Sequence, residues 1–287
     1  PAMPESRALA LRTSLLVDPA AATPPVTTAA DAVVFDLAAA SAGGRSAVRE
    51  AIGPAVLAVA KAGREAHARV SHARSAAFDA DLLASVGKQL TAVVLTATEI
   101  PQDVRDADVG IRKHEMRLGI TPGSVRLIAE IDSAAGLSAL AAILGAVDRH
   151  AAVTLNSDGL RADLHLDARA AGAIDHAMWE VALAAASARL PWTVTAPAAP
   201  AQERARLAAR AREFGAAGAT VVAEAEVRGL NALFTPAAEA VDEARATVEA
   251  AERARGRRPA NLDARAVRRA RELLARVAEI ERHERAR

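Results

Sequence analysis

Short apolar runs alternate with helix-length amphipathic stretches along most of the 287-residue chain. The runs at 9–18, 31–37, 66–71, 91–97, 124–132, 151–157, 192–197 and 219–225 are rich in Val, Ile, Leu and Thr. That content predicts strands buried on both faces, as in a parallel sheet. Helical spacing fills 45–62, 77–90, 102–118, 136–145, 167–190 and 201–214. The first connection, "PAAATPPVTTAA", has room for only a turn of helix. Eight strands alternating with helices predict an α/β fold, a (β/α)8 TIM barrel with extra C-terminal helices. A doubly wound open sheet would want a glycine-rich phosphate loop after the first strand. "LLVDPAAATPP" has no glycine there.

The barrel is expected over 9–234. A C-terminal helical extension, 235–287, is expected to pack on it or on a neighbouring subunit. Thr235 reads as an N-cap with Pro236 at the first helical position. That helix should run to about Ala254, break at "GRRPAN", and be followed by a last helix over 263–285. Ala266, Leu273, Leu274 and Val277 form an apolar stripe on the last helix, which needs a partner.

Composition narrows the function. Net charge is +1, which argues against a nucleic-acid partner. With no cysteine, thiol catalysis and Cys-ligated zinc are excluded. No apolar run reaches the roughly 18 residues of a membrane span. "PAMPESRALA" lacks the basic start and apolar core of a secretory signal, so the expected location is cytoplasmic. Lysine occurs only as Lys61, Lys88 and Lys113, none at a strand end, so a Schiff-base mechanism has no candidate. Trp179 and Trp192 read as core fillers.

Catalytic groups in such barrels sit at the C-terminal ends of strands. Two-residue alternation places Asp36 with Val34, Arg69 with His67, Asp132 with Glu130, and Asp158 with Asn156. If those faces point inward, Asp36, Arg69, Asp132 and Asp158 share the mouth. Carboxylates with one arginine suit a hard cation and an anionic substrate. They equally suit charges that pair among themselves at a polar barrel end. Glu130, two residues deeper than Asp132, then needs a partner across the lumen, Arg69 or another donor such as His67.

Six stretches carry a family resemblance over roughly 10–280. "RTSLLVDPA" is similar to R-S-x-L-F-V-P-G, and "DAVVFDLAAAS" to A-D-x-x-I-L-D-L-E-D-A-V. "ARVS" is similar to V-R-V-N, "LIAEIDSAAGL" to L-I-E-T-x-x-G-V, and "AVTLNSDGL" to G-x-x-D-L. "NALFTPAAEAVDEA" keeps the spacing of N-x-x-F-T-P-x-x-E-E-V-x-x-A. The chain thus resembles the citrate lyase beta-subunit-like branch of the HpcH/HpaI aldolase superfamily. The resemblance implies a Mg²⁺-dependent barrel that acts on acyl-CoA esters such as citryl-CoA or malyl-CoA, or on small oxo acids. It implies metal ligation by Asp132 and Asp158. It implies that Arg69 grips the oxo-acid or acyl-CoA substrate, with Asp36 as a further catalytic group, and it implies a homo-oligomer, a trimer above other states.

Departures from the pattern thin the site. Ala38 and Ala39 stand where D-L-E-D has Glu and Asp, Asp132 where the family has Glu, and Leu155 where it has Gly. Ala97 and Ala219 stand for lysines, and Ala223 and Glu224 for His and Pro. Two readings follow. One is a carbon–carbon lyase of weakened or altered activity, with Glu224 and Glu226 as replacement acid. The other is a catalytically diminished barrel acting as a partner subunit or regulatory protein.

Overall fold

The computed structural model describes residues 9–20, 23–167, 170–253 and 263–285. Eight strands form a closed parallel barrel in chain order: β1 Thr13–Val17, β2 Ala32–Asp36, β3 Glu65–Val70, β4 Ala92–Leu95, β5 Arg126–Ile131, β6 His150–Asn156, β7 Trp192–Thr195 and β8 Gly218–Val221. The surrounding helices are α1 Arg45–Lys61, α2 Phe78–Ser85, α3 Pro101–Arg117, α4 Ala134–Ser138, α5 Leu140–Leu144, α6 Ser157–Asp163, α7 Ala171–Ala188, α8 Ala201–Glu213 and α9 Glu224–Phe234. Two more, α10 Ala238–Arg253 and α11 Ala264–Arg285, follow the last barrel unit and pack on each other. The expected fold class is therefore observed.

Alternation along each strand builds two apolar layers. Val33, Phe35, Ala68, Val93, Leu127 and Leu155 face the helices in the larger core. Val34, Ala92, Val94, Ile128 and Ala152 face the lumen, where Leu9 and Leu11 join them below β1. Closure needs Gly218, because a Cβ there would stand 1.5 Å from the Leu11 carbonyl oxygen.

The last helix lies against the N-terminal end of the barrel. Arg12 forks onto Asp31 and reaches Glu284 at 2.8 Å. Arg276 donates to the carbonyls of Ala217 and Phe234. Ala270, Ile280 and His283 are buried, while Ala266, Leu273, Leu274 and Val277 are half-buried.

Several local expectations need correction. The eighth strand stops at Val221, because residues from Glu224 onward already form α9. Thr235 caps the end of α9 instead of starting α10, its hydroxyl donating to the Asn231 carbonyl at 2.7 Å. The helix over 136–145 is two short ones, α6 was not anticipated, and α2 ends at Ser85. Trp192 is buried, but Trp179 is half exposed and rests against Phe214. The predicted break at "GRRPAN" lies outside the described residues.

Candidate active site at the barrel mouth

Arg69 is the centre of the mouth. Adjacent strands place its Cα opposite that of Asp36. Its Nη1 donates to both Asp36 oxygens at 2.9 and 3.0 Å. Its other edge reaches across β4 to β5. There Nε donates to Glu130 Oε2 at 2.8 Å and Nη2 to Oε1 at 2.7 Å, a bidentate fork. The cross-barrel pairing of Glu130 with Arg69 expected from alternation is thus present. His67 instead hydrogen-bonds to Glu65, deeper in the barrel. Burial opposes the charge on Arg69, but Glu130 and then Asp36 outweigh it and raise its pKa above the ordinary value.

Asn156 was not singled out from the sequence, although an inward-facing Asn just before a helix is a recognisable signal. Its Nδ2 donates to Glu130 Oε1 at 2.9 Å, and its Oδ1 accepts from the Gly159 N–H to cap α6. Asp36 also serves the backbone, where its Oδ1 accepts from the Ala39 N–H at 3.0 Å and closes the turn of "DLAAAS". The turn therefore keeps its shape from Asp36 although Ala38 and Ala39 carry no polar group.

Asp132 follows the end of β5 and is partly buried. Burial, then the neighbouring Glu130 charge, pushes its pKa up to about 6, against the opposing effects of Arg69 and the Ala97 N–H. Ala97 directs that N–H from the left-handed region, at φ 48°. Gly159 sits close behind: a Cβ there would be 2.6 Å from the Asp132 Cβ, so the position tolerates no side chain. Asp158 belongs to the first turn of α6 and not to the inward face of β6, and its Oδ2 accepts from the Ala198 N–H at 2.7 Å.

Among the described residues no three His, Asp or Glu side chains converge as a ready-made metal set. Mg²⁺ needs fewer, since it commonly keeps waters and takes one or two carboxylates plus substrate oxygens. Asp132 fits such an ion: it is desolvated, sits beside Glu130 and Glu99, and has no cation in direct contact among the described residues. A bound cation would relieve that frustration.

Glu224 and Glu226 do not supply acid to the mouth. Glu224 accepts from the Thr28 hydroxyl and the Ala29 N–H, and Glu226 pairs with Arg204. Ala219 is buried within β8, while Ala223 is exposed. The lumen below Arg69 holds a cavity of about 30 Å³ lined by Ser14, Thr154, Thr193, Thr195 and Thr220. That is room for roughly one or two waters. The Thr154 hydroxyl is buried there without a partner among the described residues.

Together these features define an α/β barrel whose polar groups gather at the C-terminal ends of its strands around one arginine and several carboxylates. The chain belongs to the HpcH/HpaI aldolase/citrate lyase family, whose profile matches residues 14–225. No curated protein sequence matches it. Solved structures agree on the fold. RipC from Yersinia pestis is 20% identical with a TM-score of 0.63, over 80% of this chain and 97% of its own. The citrate lyase beta subunit from Mycobacterium tuberculosis is 19% identical with a TM-score of 0.64, over 79% and 98%. CitE from the same organism, in complex with magnesium, acetoacetate and coenzyme A, is 20% identical with a TM-score of 0.64, over 94% and 98%. No helix among the described residues is long and apolar enough to cross a membrane.

Proposed function

We propose that the protein is a Mg²⁺-dependent carbon–carbon lyase of the citrate lyase beta-subunit type, acting weakly or with altered preference on acyl-CoA esters or oxo acids. The observation that carries this is the convergence of Asp36, Arg69 and Asp132 at the C-terminal ends of β2, β3 and β5, with Asp158 in the first turn of α6, which follows β6. Asp132 and Asp158 would hold the ion, and bound Mg²⁺ would polarise a substrate oxygen. Arg69 offers a cation for charge that develops on the substrate, held in orientation by Asp36. Asp36 also fixes the turn that borders the mouth through the Ala39 N–H. The magnesium- and coenzyme A-bound CitE structure supports this assignment by analogy of fold.

The test is stabilisation by metal followed by assay. Mg²⁺ should raise the unfolding temperature by mass action, and Asp132→Asn should abolish the rise. Citryl-CoA and malyl-CoA cleavage should be slow, below the ordinary range of about 1–1000 per second. Absence of any metal response would remove this reading. A second reading, a non-catalytic partner subunit or regulator, is favoured by one feature: Ala38, Ala39 and Ala97 leave positions around the mouth without functional side chains. A metal-responsive protein with no turnover on either ester would favour it.

A further inference from the structure

The Nε–Nη2 edge of an arginine is one of two edges, the other being Nη1–Nη2, that match a carboxylate in two parallel hydrogen bonds. In this barrel that edge is already filled from within the chain. Glu130 accepts both bonds, at 2.8 and 2.7 Å, and Asp36 takes Nη1. Glu130 is only 1% exposed and is anchored from the far side by Asn156. It is therefore held in place, not swung in from solvent. Three carboxylates, Asp36, Glu130 and Asp132, act on the one guanidinium of Arg69. An arriving carboxylate meets negative charge and an occupied fork. The small cavity below the fork, with room for one or two waters, is lined by hydroxyls, among them that of Thr154, and adds no cation for such a ligand.

We infer that Glu130 is the specificity-determining residue of this mouth, an internal carboxylate that occupies the Arg69 fork and excludes ligands bearing a free carboxylate there. This rests on the reading that the Arg69 mouth is the substrate site, and it narrows the substrate class. Acyl-CoA esters whose acyl group is uncharged at the Arg69 position are admitted. Dicarboxylic acyl groups and free oxo acids are disfavoured. The inference also accounts for a strand position that holds a charge where barrels of this kind usually pack apolar side chains.

The experiment uses the full chain without added metal, so its outcome is independent of Mg²⁺ binding. Formate and oxalate are titrated into wild type, Glu130→Ala and Glu130→Gln by calorimetry and thermal shift, with formamide and oxamide as neutral controls. Glu130→Ala exposes the Arg69 edge and should bind formate roughly 10- to 100-fold more tightly than wild type, the scale of a charged hydrogen-bond pair. The neutral controls should gain nothing. The Arg69 Nε–H proton resonance should move on formate binding in Glu130→Ala and stay still in wild type. Should Glu130→Ala fail to fold, Glu130→Gln carries the test, because it keeps an acceptor for Asn156 while its NH2 group cannot accept from Arg69 Nε, which releases that half of the edge and removes the negative charge. It should show the same preference for oxalate over oxamide. Wild type binding formate as tightly as Glu130→Ala, or a folded variant with no gain for either anion, overturns the inference. A carboxylate gain in a protein that ignores Mg²⁺ would instead remove the lyase reading and leave this one standing.

Discussion

His283, near the end of the last helix, hydrogen-bonds through Nε2 to Oε1 of Glu65 at the start of β3, at 3.2 Å. The other Glu65 oxygen meets His67 at the same distance. Burial alone would raise the pKa of this carboxyl, but the two imidazoles win and hold it below the ordinary glutamate value. The folded-state pKa is thus depressed. The stabilisation from Glu65 is present above the unfolded value, about 4.3, and is lost as pH falls through the lower folded value. The gap in unfolding temperature between wild type and Glu65→Gln should therefore be widest near neutrality and close below about pH 4. His283→Ala should cost about 3 kcal/mol, the range for breaking a buried pair. It should also make α11 the first element to lose hydrogen-exchange protection.

Glu115, near the end of α3, is fully buried. It accepts two bonds from Arg149 at 2.9 Å each and one each from the N–H groups of Gly123 and Val125. Removing it strands a buried guanidinium edge and two backbone donors. Glu115→Ala should cost about 3–5 kcal/mol in urea unfolding. Asp108→Ala removes only the more exposed partner of the same arginine. It should cost about 1 kcal/mol.

Ala97 holds φ 48° while its N–H serves Asp132. A side chain in the left-handed region costs about 1–2 kcal/mol, partly offset by the entropy that glycine loses on folding. Ala97→Gly should stabilise the fold by about 0.5–1 kcal/mol and leave Mg²⁺ affinity unchanged. A loss of stability would mean that the Ala97 methyl makes a packing contribution larger than its strain.

The barrel was legible because buried parallel strands leave uninterrupted apolar runs, as in "AVVF" and "AVVL", with helical patterns between them. The misread boundaries share a cause. "ATVVAEA" is apolar over most of its length, so alternation could not reveal that β8 ends at Val221 and that Glu224 opens a helix. Thr235 followed by Pro236 has the chemistry of a helix start, yet its hydroxyl donates to the Asn231 carbonyl one turn back and accepts from the distant Arg12, and it stands at a helix end. In the site, alternation put Asp36, Arg69 and Glu130 on the inward face and gave Glu130 a cross-lumen partner, Arg69 or another donor such as His67; the Asp36–Arg69 pair was not foreseen. For Asp158 alternation left open whether the residue lies on β6 or beyond it, because strand register says nothing about where a helix begins, and the residue belongs to α6. The roles of Asn156, Ala97 and Gly159 depend on contacts between separate loops, which no local pattern encodes.

Asp132 ties stability to the proposed metal site. Burial and the Glu130 charge raise its pKa to about 6, above the ordinary aspartate value of 3.8. A raised folded-state pKa means that the stability linked to this group is fully present below the unfolded value. It is lost as pH rises through about 6. At pH 7 to 8 the ionised Asp132 is therefore a local liability that a neutral isostere removes. Asp132→Asn should raise the unfolding temperature at pH 8. The advantage should shrink as pH is lowered through 6 and vanish near 4, where wild type is itself protonated. The same substitution should erase stabilisation by Mg²⁺, because it removes the charge that a cation would compensate. Such opposition between stability and function is common at active sites. Wild type saturated with Mg²⁺ should recover much of the gap at pH 8, since the ion supplies the compensation that the apo site lacks. A stability difference that stays constant from pH 4 to 8 would show that Asp132 is not electrostatically frustrated, and the case for a cation at this position would lose its physical basis.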